Sequence, residues 1–472
     1  MSILLKYNRC STCFRLKSIV YYTYRSITDN NIFSLQERGL FREILPPVDP
    51  ELTQSVMNKK QTVYCGFDPT AESLHIGNLI ALIGLLHWQR AGHQPLALIG
   101  SATVLLGDPS GRINERQQLL NDEIVTNTTN IEKLIQKIFQ NHEKYIWKGN
   151  NDKGQRKLLP VSILNNLSWY KDMNVIHFLS TYGRHFRMGP LLARKTIAKR
   201  IESAEGLSVN EFLYQLFQAY DWYYLFRNFN CRFQLGGVDQ LGNIDTGRNF
   251  IKKMTHLEEI VHGVMLPLLT NEAGEKLGKS TGNSISIDEN ICTPYEIYQF
   301  FRSTPDSKVE EYLKLFTFLP LLEIQQLMQS HRNKPQEYAA QIKLAKQVTL
   351  LVHGDDGLQS AIRTTEALFA ENIDLLSNLT EKEINGFASS IPTMQMTLNP
   401  ELTLLELCMA VKGFSNEQTA LNVIDKGGVR INHKKVQNPH AVLVFGLHIL
   451  PNKITVLRIE KLLYYQMDTE QE

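Results

Sequence analysis

FDPTAESLHIGNL, Phe67 to Leu79, joins a short apolar run, Thr62 to Phe67 (TVYCGF), to a long apolar pattern of helical period, Leu79 to Ala91. A strand, a polar loop and a glycine-containing helix start together make a cradle for a nucleotide. Backbone N–H groups and the positive end of the helix dipole face the phosphates there, and His75 adds a donor. Gly77 stands where a side chain would keep a nucleotide from the backbone. Working outward, Gln94 to Val104 (QPLALIGSATV) reads as a buried strand, followed by the glycine turn LLGDPSGR around Asp108. Glu211 to Phe226 reads as an aromatic-rich helix and Cys231 to Leu235 as a short strand feeding GGVDQLGN at 236–243. Short apolar runs alternating with helical periods from about Asn31 to Met265 argue for an α/β domain with a parallel sheet.

At 472 residues, 43% hydrophobic and 21% charged, the chain is globular and too long for one ordinary domain. No apolar run approaches the ~18–20 residues needed to span a bilayer, and no membrane partner is expected. Lys6, Arg9, Arg15, Lys17 and Arg25 all precede the first acid, Asp29, with Ser, Thr and Tyr between them. A basic, acid-free, hydroxyl-containing leader over residues 1–30 suits a mitochondrial transit peptide and lacks the apolar block of a secretory signal. Its removal takes the formal charge from +2 to about −3, so nucleic-acid contacts must come from local patches. Cys10 and Cys13 fall in this leader without a second pair for zinc, and Cys65, Cys231, Cys292 and Cys408 read as buried free thiols.

The second informative motif is KLGKS, Lys276 to Ser280, within TNEAGEKLGKSTGNS. Two ammonium groups three positions apart in a glycine-flanked loop suit a triphosphate whose charge shifts during reaction. Either motif alone is ambiguous, since H-x-G-[HN] also occurs in nucleotidylyltransferases and a basic loop is commonly just solvated. In this order they resemble the HIGH and KMSKS signatures of class I aminoacyl-tRNA synthetases. YCGFDPTAESLHIGN, GDPSGR, EFLYQLFQAYD and QLGGVDQLGN narrow the resemblance to tyrosyl-tRNA synthetases of the mitochondrial and bacterial type, over nearly everything after residue 32. Asn78 replaces the last His of HIGH, and Leu277–Gly278 replace Met–Ser of KMSKS.

The resemblance implies a Rossmann-like parallel-sheet catalytic domain at 31–293, with a helical, dimer-forming insertion at about 112–205 and the KLGKS loop at 276–280. An α-helical anticodon-arm domain would come next at 294–395 and a small α+β RNA-binding domain at 396–472. It also implies ATP, accompanied by Mg²⁺, as substrate, L-tyrosine and mitochondrial tRNA(Tyr) as partners, a homodimer, and the mitochondrial matrix as location. No metal site in the protein itself is expected.

Chemistry and resemblance together give the site residues. Tyrosine differs from phenylalanine by one hydroxyl, so its pocket needs a donor and an acceptor at the base, and Tyr64 and Asp221 are similar to the family's pair. Such a site rejects the analogue lacking the hydroxyl by ~10⁴–10⁵, a figure that tyrosine-activating enzymes themselves supply. Tyr214, Gln218 and Asp221 recur at i, i+4 and i+7 and so share one helix face. The resemblance makes Tyr214 and Gln218, with Asp108 and Gln240, contacts to the substrate's ammonium end. It puts Thr70, His75 and Asn78 at the ATP phosphates, Gly66, Asp68, Gly77 and Gly237 around the nucleotide, Asp239 on the ribose and Leu269 against adenine. Lys276, Lys279 and Ser280 would close over pyrophosphate.

Around the turn at Gly427–Gly428, Lys426, Arg430, Lys434 and Lys435 fit either a solvated face or phosphate contacts of a small RNA-binding domain. Two alternatives stay open. One is a tryptophanyl enzyme, disfavoured because indole needs no Tyr64/Asp221 pair. The other is a non-catalytic RNA-binding or splicing factor on the same fold, disfavoured by intact His75, Gly77, Lys276 and Lys279.

Overall fold

The computed structural model describes residues 32–47, 59–110, 114–147, 157–256, 261–269, 285–370, 372–388, 391–396, 401–459 and 463–468. The leader, Arg112, most of the 151–157 loop and the KLGKS motif lie outside the described residues. The chain forms two compact units. The first ends at Ile287 and takes in Asp306–Ala340; the second comprises Asp288–Pro305 and the chain from Gln341 onward.

The first unit is built on a six-stranded sheet of β1 (Glu43–Leu45), β2 (Thr62–Phe67), β3 (Gln94–Ile99), β4 (Ser162–Asn165), β5 (Cys231–Gly237) and β6 (His262–Leu266). Their spatial order is β1-β6-β5-β2-β3-β4, with only β1 antiparallel to its neighbour. Strands β2, β3 and β5 are buried or half-buried along nearly their whole length, as expected of parallel strands covered on both faces. From β2 the chain adds β3 and β4 on one side, then returns to add β5 and β6 on the other. Between the carboxyl ends of β2 and β5 it therefore leaves the crevice in which open α/β sheets take their ligands.

Helix α1 (Ile76–Arg90) crosses beneath this crevice and buries Leu79, Ile80, Leu82, Ile83, Leu85, Leu86 and Trp88. It is apolar all round because it lies inside the domain. Gly84 lets it approach the sheet closely, since an added methyl would lie 3.2 Å from Leu235 Cδ1. Between β3 and β5 run α2 (Asn121–Asn141), α3 (Leu167–Tyr170), α4 (Val175–Thr181), α5 (Met188–Leu192), α6 (Lys195–Ile201) and α7 (Val209–Phe229); α8 (Leu241–Thr255) comes after β5. Helix α7 is capped at both ends: the Ser208 hydroxyl accepts from Glu211 N at 3.3 Å, and Asn230 leaves the helix with φ +49°. Later in the chain α9 (Pro294–Arg302) belongs to the second unit, while α10 (Asp306–Phe316) and α11 (Leu321–Asn333) belong to the first. Buried Arg38 ties α10 to the first unit by donating to Lys314 O at 3.1 Å, Thr317 O at 2.6 Å and Leu319 O at 2.7 Å.

One strand is shorter than its apolar run. Gln94 to Val104 reads as continuous strand, but β3 stops at Ile99 and Thr103–Leu105 form a 3₁₀ turn. The cause is polar. Thr103 Oγ1 donates to Asp68 Oδ1 at 2.9 Å, and Asn166 Oδ1 accepts from Ala102 N at 2.8 Å, so the chain bends to satisfy two polar side chains.

In the second unit α12 (Ala339–Phe369) is broken at Gly354 (φ 75°, ψ −171°) and leads to α13 (Ile373–Ser377) and α14 (Glu381–Ala388). Thr393–Gln395, inside the stretch read as purely helical, is strand β7. It joins a sheet with β8 (Val429–Ile431), β9 (Lys434–Val436), β10 (Ile454–Ile459) and β11 (Leu463–Asp468), in the order β7-β11-β10-β8-β9. Leu457, Ile459, Val429 and Ile431 pack with α15 (Leu404–Ala410) and α16 (Glu417–Asp425), while Ile454 and Val456 pack with Leu376 and Phe387. Cys65, Cys231, Cys292 and Cys408 are all buried free thiols.

Candidate active site

The crevice holds a cleft of about 320 Å³ lined by the end of β2, the loop to α1, one face of α7, the end of β5 and Leu266–Leu269. It brings together Tyr64, Gly66, Asp68, Thr70, His75, Gly77, Asn78, Asp108, Tyr214, Gln218, Asp221, Gly237, Asp239, Gln240 and Leu269.

At the mouth, His75 is the N-cap of α1. Its Nδ1 accepts from Gly77 N at 3.0 Å and Asn78 N at 3.3 Å, and the Asn78 carboxamide oxygen accepts from His75 N at 3.1 Å. This is a reciprocal capping box built from His and Asn. With Nδ1 accepting, the network assigns the ring proton to Nε2 in the neutral tautomer. Gly77 has a local reason to be glycine: an added methyl would lie 2.8 Å from His75 Cε1. Gly66 differs, since a methyl there would meet nothing within 4 Å. The chain resumes at Ile285 against this same corner, where Ile76 N donates to Ile285 O at 3.1 Å and Ile287 N to Leu74 O at 3.0 Å.

Deeper in, two carboxylates are held differently. Asp68 accepts from Tyr214 Oη at 2.8 Å and from Thr103, and burial pushes its carboxyl up to about 6. Asp108 accepts from Ser110 N at 2.9 Å and from Gln240 Nε2 at 2.7 Å, with Asn243 adding a bond at 3.4 Å. Gly237 is open because a side chain would meet the Asp239 carboxylate at 2.5 Å.

At the base lies Asp221. Trp169 Nε1 donates to Oδ1 at 3.0 Å and Asn166 Nδ2 to Oδ2 at 3.1 Å, while burial pushes the carboxyl up to about 7. Beside it, the Tyr64 hydroxyl and the Gln218 side-chain oxygen are buried and find no hydrogen-bond partner among the described residues. Buried polar atoms left unmatched cost about 1–3 kcal/mol each, and here they face the cleft, as they do where a ligand completes the network.

Residues 57–370 match the family described as tRNA synthetases class I (W and Y). The mitochondrial tyrosine–tRNA ligase of Drosophila melanogaster is 45% identical over 95% of this chain and 97% of its own. The human mitochondrial tyrosine–tRNA ligase is 44% identical over 91% and 89%. This chain belongs to the tyrosine–tRNA ligases. A C-terminally truncated Aspergillus nidulans mitochondrial tyrosyl-tRNA synthetase of known structure superposes with a TM-score of 0.64 at 32% identity, covering 75% of this chain and 99% of that one.

Several residues of the ligase cleft carried no signal in the sequence. Arg116 lines it, with an electrostatic influence on both Asp68 and Tyr214. Asn166 bridges Thr103 Oγ1 at 3.1 Å and Asp221, and Trp169 approaches Asp221 from the other side. Asn166 and Trp169 sit beyond β4, far from any recognisable motif. Lys276, Lys279 and Ser280 lie outside the described residues, although Leu269, earlier in the same stretch of sequence, lines the cleft. Among the described residues no group of three or more His, Cys, Asp or Glu could hold a metal ion, and no helix is long and apolar enough to cross a membrane.

Proposed function

We propose that this ligase activates L-tyrosine in the cleft, each lining side chain taking a distinct part. The observation that carries the reading is the pair of orphaned polar atoms, Tyr64 Oη and Gln218 Oε1, beside the Asp221 carboxylate at the cleft's base. A substrate phenol supplies both a donor for Asp221 and a partner for Tyr64. Tyr214, Gln218, Asp108 and Gln240 take the ammonium end. Thr70, His75 and Asn78 face the ATP phosphates, with the N-terminus of α1 adding its dipole. Gly66, Asp68, Gly77 and Gly237 surround the nucleotide, Asp239 takes the ribose hydroxyls and Leu269 lies against adenine.

The tyrosine carboxylate attacks the α-phosphorus in line, forming tyrosyl-adenylate and expelling pyrophosphate. A terminal ribose hydroxyl of tRNA then attacks the adenylate carbonyl and releases AMP. No protein nucleophile takes part, so catalysis rests on positioning and on stabilising charge that develops on phosphate oxygens. Arg116, Lys276, Lys279 and Ser280 supply that stabilisation, and Mg²⁺ arrives with ATP. Lys279→Ala is expected to lower the rate of adenylate formation by ~10²–10³ with a smaller change in tyrosine affinity. Single-turnover adenylate formation at a wild-type rate would remove Lys279 from this role.

Outside the cleft, we propose a homodimer formed by the helical insertion, where Val175, Ile176, Leu179 and Met188 are exposed apolar residues. The region 294–395 would meet the anticodon arm. Lys426, Arg430 and Lys435 of 396–472 would contact RNA phosphates of mitochondrial tRNA(Tyr) in the matrix.

The deciding experiment is ATP–pyrophosphate exchange with each amino acid in turn, in which exchange with tyrosine alone is expected. Exchange with tryptophan would overturn the pocket assignment. The raised carboxyls give a second test. A buried carboxyl raised above its unfolded value contributes stability that is present at low pH and lost as pH rises through the folded value. Without ligand, the wild type should therefore gain stability relative to Asp221→Asn as pH falls from about 8 to about 5, through the Asp221 value of about 7. Parallel denaturation profiles for the two proteins would place the Asp221 titration elsewhere.

A further inference from the structure

From Lys426 to Ile459 the chain contains no Asp or Glu, while Lys426, Arg430, Lys434, Lys435, Lys453 and Arg458 supply cations. Within this stretch Val442, Val444, Phe445 and Leu447 are 42%, 51%, 61% and 47% exposed. Large apolar residues scattered singly over a surface need no explanation, but four within six consecutive residues do.

The turn itself is closed. Gly446 N donates to Ile449 O at 2.7 Å, and Leu447, His448 and Ile449 N all donate to Val444 O at 3.3, 2.8 and 3.2 Å. Val444 N donates to His448 Nδ1 at 3.0 Å, and Gly446 takes φ +83°, which a side chain would resist. Its outward carbonyls are also matched: Asn432 Nδ2 donates to Leu447 O at 3.4 Å and to His448 O at 2.8 Å, and Thr455 Oγ1 to His448 O at 2.8 Å. Asn432 is fully buried in the turn between β8 and β9, so the apolar tip is fastened to the element that presents exposed Lys434.

We propose that the Val444–Ile449 turn docks on an anionic lipid surface, its apolar side chains entering the headgroup boundary and Lys434 holding the headgroups. Two observations favour a bilayer over RNA. Three of the four tip residues are aliphatic, whereas an unstacked base needs a flat ring. A turn that engages five of its six N–H groups in bonds of its own suits entry into an apolar medium, whereas phosphate contacts would use free N–H groups. Lys435, which lies over Gly427, and Lys426, the sequence neighbour of that glycine in the turn, remain available to RNA. A peripheral contact of this kind needs no membrane-crossing helix.

The test is flotation of the full chain with phosphatidylcholine vesicles, with and without cardiolipin, at low ionic strength. Binding is expected only with cardiolipin. Phe445→Ser/Leu447→Ser should lower the partition coefficient at least roughly tenfold, and Lys434→Ala about fivefold. Tyrosine-dependent ATP–pyrophosphate exchange should be unchanged in both. Phe445→Trp should keep binding and shift its fluorescence to the blue on cardiolipin vesicles. Failure of the wild type to float, or equal flotation of the tip variant, overturns the proposal. Loss of tRNA affinity in the tip variant without any flotation assigns the turn to RNA instead.

Discussion

Asp221→Ala is expected to collapse the preference for tyrosine over phenylalanine by about 10²-fold or more, read as the ratio of kcat/KM values in ATP–pyrophosphate exchange. On the proposed reading Asp221 accepts from the substrate phenol, and a hydrogen bond to a charged group contributes about 1.5–3 kcal/mol. Phenylalanine makes no such bond, so its kcat/KM should change little while that for tyrosine falls. The loss should not be total, because the Tyr64 hydroxyl remains to meet the phenol. Asp221→Asn is the sharper variant. Trp169 Nε1 and Asn166 Nδ2 already donate to the two carboxylate oxygens, so a carboxamide must turn its own NH₂ towards one donor. That clash should lower stability as well as selectivity, whereas alanine removes the acceptor of Trp169 Nε1 and one of the two acceptors of Asn166 Nδ2. An unchanged selectivity ratio in both variants would remove Asp221 from the phenol pocket.

The same corner marks how far the sequence could be read. Tyr214, Gln218 and Asp221 were legible as one face of one helix because their spacing is local. The strand–loop–helix start at Thr62–Arg90 was legible because apolar period and loop chemistry agree there. Asn166 and Trp169 were not, since they reach Asp221 across 55 and 52 residues of chain and carry no local pattern. Their role exists only once β4 lies beside β3. The early end of β3 has the same origin: an apolar run suggests a longer strand, and two distant polar side chains, Asp68 and Asn166, bend the chain beyond Ile99. Gly77 shows the reverse case, where the residue type was informative and the capping imidazole adds a second reason for it. Strand β7 was hidden because three residues carry no period, and its pairing partner β11 lies at the far end of the chain.

The second large effect concerns the helix that carries the pocket. Arg200, 1% exposed, donates through Nη2 to both Glu211 oxygens at 2.9 and 2.7 Å and through Nη1 to Ser203 Oγ at 2.8 Å. Glu211 also accepts from Ser208 N at 3.3 Å, so one carboxylate closes the capping box of α7 and neutralises a buried guanidinium. Glu211→Ala should therefore cost about 3–5 kcal/mol, because it removes the bidentate carboxylate from a buried guanidinium. Arg200→Met/Glu211→Leu should recover most of that loss, since two apolar residues of similar volume need no counter-charge. The contrast between single and double variants in urea unfolding separates a charge effect from simple loss of contact. Tyr214 stands one turn beyond Glu211, so loosening this end of α7 should also raise KM for tyrosine more than it lowers kcat. A cost below about 1 kcal/mol for Glu211→Ala would mean that the pair is solvated and that α7 is held by its apolar face alone.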